Sequence, residues 1–297
     1  MKTRPSLIVV STALILLLVA VVVIFQLWPL RLQQAVYPLE RIVQYSFTVS
    51  NTSAHVIPKA VFQTYAPVAQ TATQKLIGIE SSHEYRLESD TWGNQVLRYE
   101  LEDLAPFESR IIRIRAELAM AESFNKSTLE NRQRFLTAAP FIELTSPKLI
   151  KTAASMNDTH GKAGARKIFE WITRTIRDVG YIADDRGALW ALENGQGDCT
   201  EFMYLYNALA RINGIPARGV GGYVYTEDAI LKPADYHNWS EVYIDGAWRI
   251  VDPQNKNFLG QPSNYIAMRI IADTTKGLLG SSHQYVHSDE RLEVRLN

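Results

Sequence analysis

One cysteine, Cys199, is all the thiol chemistry that this chain of 297 residues holds. A lone cysteine makes no internal disulfide and supplies no zinc site built on several cysteines. Charge of one sign is missing too. The 31 Lys and Arg stand against 31 Asp and Glu, which argues against a nucleic-acid binder, whose footprint is a basic excess. Low-complexity tracts and internal repeats are absent, and 46% of residues are hydrophobic, which argues against a disordered chain. The length leaves room for about two domains with cores of their own.

What is present begins with residues 6–28, SLIVVSTALILLLVAVVVIFQLW, with no charge between Arg4 and Arg31. Spanning a bilayer takes about 20 apolar residues, and this run is long enough. Lys2 and Arg4 precede it and Trp28 closes it; basic flanks stay inside and aromatic residues favour the interface. Residues 1–30 are therefore expected to be an N-terminal transmembrane signal anchor. The following chain then lies on the periplasmic or extracellular side of an inner (plasma) membrane. A cleaved signal peptide has a shorter apolar region, about 7–15 residues, and WPLRLQQAVYP offers no clear small-x-small cleavage site.

Residues 40–122 read as a β-rich, sandwich-like domain. RIVQYSFTVSN, AVFQTYAP, EYRLES, QVLRYEL and RIIRIRAEL are short runs of alternating character separated by breakers such as Pro58, Pro67, Gly78, Gly93-Asn94 and Pro106. In the last run Ile112, Ile114, Ala116 and Leu118 share a face. No catalytic cluster occurs here, so the domain is expected to be a spacer, or else a module that binds a protein partner. Near residue 122 the period switches. In KAGARKIFEWITRTIRDVGY, Ala165, Ile168, Phe169, Ile172 and Ile176 share a helical face. Residues 123–297 are taken as a second domain.

The most informative stretch is GQGDCTEFMYLYNALARINGIPARGVGGYVY, residues 195–225. After Cys199 a helical pattern sets Phe202, Leu205, Tyr206, Leu209 and Ile212 on one face, and Asn213-Gly214 and Pro216 end it. Asp198 is a plausible N-cap, with Thr200 and Glu201 in the first turn. Cys199 then sits at a helix amino terminus, where free N–H groups and the helix dipole favour negative charge and can hold an oxyanion. A buried structural cysteine is the alternative; Gly195 and Gly197 just before it favour close approach of another chain. Downstream, DYHNWSEVYIDGAWRIVDPQ reads as two strands joined by Asp245-Gly246, a hairpin signal. If Ile244 opposes Ala247, Trp239 opposes Asp252, and His237 and Asp252 become diagonal neighbours on one face. A slip of one residue puts them on opposite faces. Cys, His and Asp would supply nucleophile, base and orienting carboxylate.

These residues resemble the transglutaminase-like superfamily, whose core is related to papain-like cysteine proteases, in a membrane-anchored bacterial type. The match lies in Gly197-Asp198-Cys199, Gly214-Ile215-Pro216-Ala217-Arg218, His237-Asn238-Trp239 with Glu241-Val242, and Trp248 through Asp252-Pro253. It covers about residues 140–275. The resemblance implies an α+β fold, with the cysteine helix packed on an antiparallel sheet. It also implies that Cys199 is the nucleophile, His237 the general base and acid, and Asp252 the orienting carboxylate. Asn238 stands where the family often has Ala. The second oxyanion donor is not fixed by these motifs, and Gln196 is a candidate by proximity.

The chemistry expected is attack of the thiolate on an amide carbonyl of a peptide or protein, giving a thioester. Water as acceptor makes a peptidase or amidase; an amine makes a transglutaminase that crosslinks proteins. Hydrolysis is preferred, because the chain is compact and Asp184, Asp185 and Glu193 lack the spacing of a calcium loop. A noncatalytic binding or scaffold protein that keeps the fold is the remaining alternative. No cofactor and no metal are expected: His283 and His287 are four apart, but SSHQYVHSDE has no helical period and no third ligand. Four glycosylation sequons occur, one of them at Asn238 beside His237, where a glycan would crowd the histidine. Arg113, Arg115, Arg132, Arg134, Arg174 and Arg177 are dispersed and read as solvated faces.

Overall fold

The computed structural model describes residues 35–156, 161–271, 278–280 and 282–297. The expected anchor, residues 1–30, lies outside them. Among the described residues no helix is long and apolar enough to cross a membrane. Residues 37–297 form one compact unit.

Alternation builds the first layers. In strand Leu39–Asn51 the residues Val43, Tyr45, Phe47 and Val49 are buried while their neighbours are not. Strand Ser109–Met120 pairs with it antiparallel and buries Ile112, Ile114, Ala116 and Leu118. A second sheet carries Ile57–Ala66, Gln95–Leu104 and Arg86–Ser89. Phe62, Leu97, Tyr99 and Leu101 meet the first sheet in one core, which makes the pair a sandwich.

The sandwich also takes strands from beyond residue 122. Leu292–Leu296 pairs with Leu39–Asn51, Tyr285–His287 pairs with Ile57–Ala66, and Ala229–Ile230 lies parallel to Val43 and Gln44. Strand pairing is indifferent to sequence distance, and short runs such as YVH carry too few residues to show a period.

The third sheet is antiparallel, in the order Asn257–Phe258, Ala247–Asp252, Tyr236–Ile244, Ala217–Val224, Tyr265–Ile271. The hairpin register is as expected, with Ile244 opposite Ala247, Tyr243 opposite Trp248 and Glu241 opposite Ile250. On this sheet lies helix Cys199–Ile212; helices Pro147–Ala154, Gly161–Thr175 and Ala188–Asn194 pack on it as well. It is not a one-faced helix. Every residue from Thr200 to Arg211 is buried, because sheet and helices together surround it.

Two amide side chains join the sandwich to the third sheet. Strand Tyr265–Ile271 is an edge whose free backbone groups would otherwise be orphaned. Gln74 accepts from Ala267 N–H at 2.7 Å and donates to Ala267 C=O at 2.9 Å. Asn94 does the same to Ile270, at 2.6 and 2.9 Å. Both side chains are buried and act as a substitute strand.

One ion pair locks the centre of the sheet. Arg218 and Glu241 face each other across adjacent strands. Nε and Nη2 of the guanidinium donate to Glu241 Oε2 at 2.8 and 2.6 Å, and the guanidinium lies 4.2 Å from the Trp248 ring centre. The two side chains are 10% and 2% exposed, so removing one leaves the other as an uncompensated buried charge. Arg218→Ala is expected to lower stability by about 3–5 kcal/mol, read as a urea midpoint shift. Arg218→Met with Glu241→Leu should recover most of that loss.

Candidate active site

The local sequence dictates where the thiol lies. Asp198 caps the cysteine helix, accepting from Thr200 N–H at 2.8 Å, and Glu201 completes a capping box by accepting from Asp198 N–H at 3.3 Å. Each carboxylate has a second task. Asp198 Oδ2 accepts from Ile182 N–H and Glu201 Oε1 from Arg186 N–H, both at 2.9 Å. The cap therefore pins loop 182–186 beside the helix start. Gly197 serves this arrangement: a Cβ there would lie 2.4 Å from Glu201 Cβ. Its small size admits a side chain of the protein itself rather than a substrate. Cys199, the first residue of the helix, is partly buried. Its N–H has no acceptor among the described residues and is free to hold an oxyanion.

The hairpin brings the imidazole and carboxylate together. His237 Nε2 lies 2.7 Å from Asp252 Oδ2. Asp252 is 1% exposed and both of its oxygens are held: Tyr265 OH donates to Oδ2 at 3.0 Å, Asn255 Nδ2 to Oδ2 at 2.9 Å, and Asn255 N–H to Oδ1 at 3.1 Å. Neither Tyr265 nor Asn255 was expected. Asn255 carries a signal, since Asp three residues before a backbone N–H in Asp-Pro-Gln-Asn suits a side-chain-closed turn. Tyr265 comes from a distant strand and carries none. The Trp239 ring lies nearly parallel to His237, with centres 6.4 Å apart.

Nε2–H donates to Asp252, which leaves Nδ1 for the thiol. Burial disfavours the imidazolium, but the hydrogen bonds and charges of Asp252 and Cys199 outweigh it and raise the His237 pKa to about 10. Burial pushes the Asp252 carboxyl up, and the hydrogen bond and charge of His237, with Asn255, pull it below its ordinary value.

Thr200 and Asn238 tie the two halves. Asn238 Nδ2 donates to Thr200 Oγ1 at 3.0 Å, and Thr200 Oγ1 lies 4.0 Å from the Cys199 sulfur. Ser240, two residues along the histidine strand, donates to Met203 C=O. The residue that departs from the resemblance thus fixes the strand against the helix. Asn238 is 3% exposed, so its sequon is out of reach.

These groups open on a cleft of about 920 Å³. Its lining includes Cys199, Thr200, His237 and Asn238, with Tyr181 and Asp185 on one wall and His283 on another. Gln196 is not among the lining residues; its side-chain oxygen accepts from Arg177 Nη2 at 2.6 Å. The turn just before the cysteine pairs with Arg177–Asp178 as a short parallel ribbon, which faces Gln196 toward that arginine. Among the described residues no cluster of His, Cys, Asp or Glu has the makings of a metal site. Arg134, half-buried, also rests its guanidinium 3.3 Å from the centre of the Trp92 ring.

Comparison with known proteins fits this geometry. Residues 150–253 match the family model of the transglutaminase-like superfamily. A search of curated proteins gives no match. Among solved structures, a candidate cysteine protease from Cytophaga hutchinsonii superposes with a TM-score of 0.57 at 19% identity, covering 87% of this chain and 92% of that one. That likeness is one of fold. The periplasmic domain of TgpA from Pseudomonas aeruginosa reaches a TM-score of 0.38 at 16% identity, over 71% and 88% of the two chains.

The raised histidine pKa has a measurable consequence. Stability that the imidazolium confers is complete below its ordinary value of 6.5 and is lost as pH rises toward about 10. The depressed Asp252 carboxyl acts oppositely, stabilising above its ordinary value of 3.8 and losing that contribution as pH falls. Urea midpoints are expected to decline between pH 6.5 and 10. The decline should be much smaller in His237→Gln.

Proposed function

We propose that this chain, whose residues 150–253 match the family model of the transglutaminase-like superfamily, is a thiol enzyme that breaks amide bonds through a thioester on Cys199. The observation that carries this reading is the relay itself. Asp252 is held by three donors and lies 2.7 Å from a histidine that neighbours the only cysteine.

Each residue has a role in this scheme. His237 takes the thiol proton, and the Cys199 sulfur bonds to the carbonyl carbon of an amide. The oxygen gains negative charge beside the free Cys199 N–H. His237 gives its proton to the nitrogen, the C–N bond breaks, and an amine leaves. Water then attacks the thioester while His237 takes a proton from it. The C–S bond breaks, releasing a carboxylic acid and restoring the thiol. Asp252 keeps the ring in one orientation and stabilises its cation.

Hydrolysis is the outcome we favour, because water needs no binding site of its own to reach a thioester in an open cleft. Its volume of about 920 Å³ leaves room for water, at about 30 Å³ a molecule, beside the bound acyl group. Peptides or proteins are the substrates of choice. On the apolar run of residues 6–28 we place the enzyme on an inner membrane, its catalytic part facing the periplasm or exterior.

The test is intact-protein mass spectrometry with peptide amides, with and without an amine donor. The expected result is a transient acyl adduct on Cys199, absent in Cys199→Ala, and release of free acid. Incorporation of the amine without release of acid would replace hydrolysis by acyl transfer. Alkylation of Cys199 by iodoacetamide should also slow by about tenfold or more in His237→Ala, since the thiolate is the reactive form.

A further inference from the structure

One wall of the cleft is the loop that the helix cap pins, reaching from Asp178 to Asp185, and another is the segment Ser282–Tyr285. The two walls meet. Asp185 Oδ1 and His283 Nε2 are 3.6 Å apart, and both residues line the cleft. Each partner is held from behind. Tyr204 OH donates to Asp185 Oδ2 at 2.8 Å, and Phe141 stacks on the Tyr204 ring. His283 stands edge-on to Tyr236, the residue before His237, and the next strand, Tyr285–His287, is paired into the sandwich. Tyr204 lies five residues beyond Cys199 on its helix. Five residues of helix rise about 7.5 Å, which is the reach of roughly two residues of extended chain.

Carboxylates outnumber cations in this cleft, where the His237 imidazolium is the opposing charge. Asp178, Asp185 and Asp198 line it, with the imidazoles of His237 and His283, and no Lys or Arg is among the lining residues. Asp198 is spent on the helix cap. Asp185 is only partly spent: its Oδ2 accepts from Tyr204 and its Oδ1 forms an ion pair with His283 at 3.6 Å. Burial pushes the carboxyl up, but His283, Tyr204 and the charge of Arg269 pull it below its ordinary value. Oδ1 retains the capacity to accept from a second donor.

We propose that the Asp185–His283 contact makes the cleft blind on this side and that Asp185 receives an ammonium group there. The preferred acyl donor is then a peptide that begins with a free amino terminus about two residues before the amide that Cys199 attacks. This rests on the thiol-enzyme reading and adds a substrate class to it: chain ends rather than internal bonds. Asp185 and His283 are specificity residues in this scheme and take no part in the bond changes.

The experiment uses the full chain and three thiol-directed probes: iodoacetamide, a dipeptidyl fluoromethyl ketone with a free amino terminus, and its N-acetylated hexapeptidyl counterpart. The free dipeptidyl probe is expected to label Cys199 about tenfold faster than the capped hexapeptidyl probe, as befits a site built to pair with one charged group. In His283→Ala and Asp185→Asn that ratio should fall toward unity. A wild-type ratio near unity, or one favouring the longer probe, overturns the blind-end proposal, and it needs no variant to fold. Labelling by iodoacetamide that is no faster than that of a free thiol, and indifferent to His237→Ala, overturns the thiol-enzyme reading instead.

Discussion

Two buried carboxylates at one helix start hold this site together. Asp198 and Glu201 are 6% and 1% exposed. Burial, together with the neighbouring Asp198, pushes the Glu201 carboxyl up to about 7. Placing two acids side by side in a core is costly, and the cost is offset because each of their four oxygens accepts from a backbone N–H. The same four oxygens set the angle of the cysteine helix and the path of loop 182–186. The thiol and one wall of its cleft are therefore positioned by a single cluster. Disturbing the cap moves both.

The other half of the site rests on the sheet. Arg218 and Glu241 fix two strands across from each other, Gln74 and Asn94 occupy the edge, and Asn238 and Ser240 fasten the histidine strand to the cysteine helix. Each is a buried polar contact with defined geometry, and such contacts specify a register that apolar packing alone would leave loose. The precision needed is high, since small misplacements of reacting groups are expensive in rate.

Local features were legible in the sequence. Asp198 reads as an N-cap with Thr200 and Glu201 in the first turn, and Asp245-Gly246 as a hairpin whose register puts His237 and Asp252 on one face; both are found, the cap as a full capping box. These depend on neighbours within a few residues, where turn chemistry and period act directly. What depended on distant pairing was not legible. Tyr265 reaches Asp252 from a separate strand, and the amides of Gln74 and Asn94 meet a strand some 180 residues or so downstream. Gly195 and Gly197 suggest close approach of another chain, whereas Gly197 makes room for Glu201. Gln196 is near Cys199 in sequence but is turned to Arg177, because adjacency along a turn does not set side-chain direction.

The strand that runs from Leu39 obtains one of its neighbours from Leu292–Leu296, and Asn297 Nδ2 donates to Ser46 Oγ. Synthesis must pass residue 296 before the earliest part of this core is covered on that side. The wall that carries His283 is likewise anchored through Tyr285–His287 to strand Ile57–Ala66. A nascent chain with Cys199 and His237 already made still lacks a finished cleft. The surroundings of Cys199 are therefore completed only after segments 285–287 and 292–296 have been made, a form of quality control written into topology.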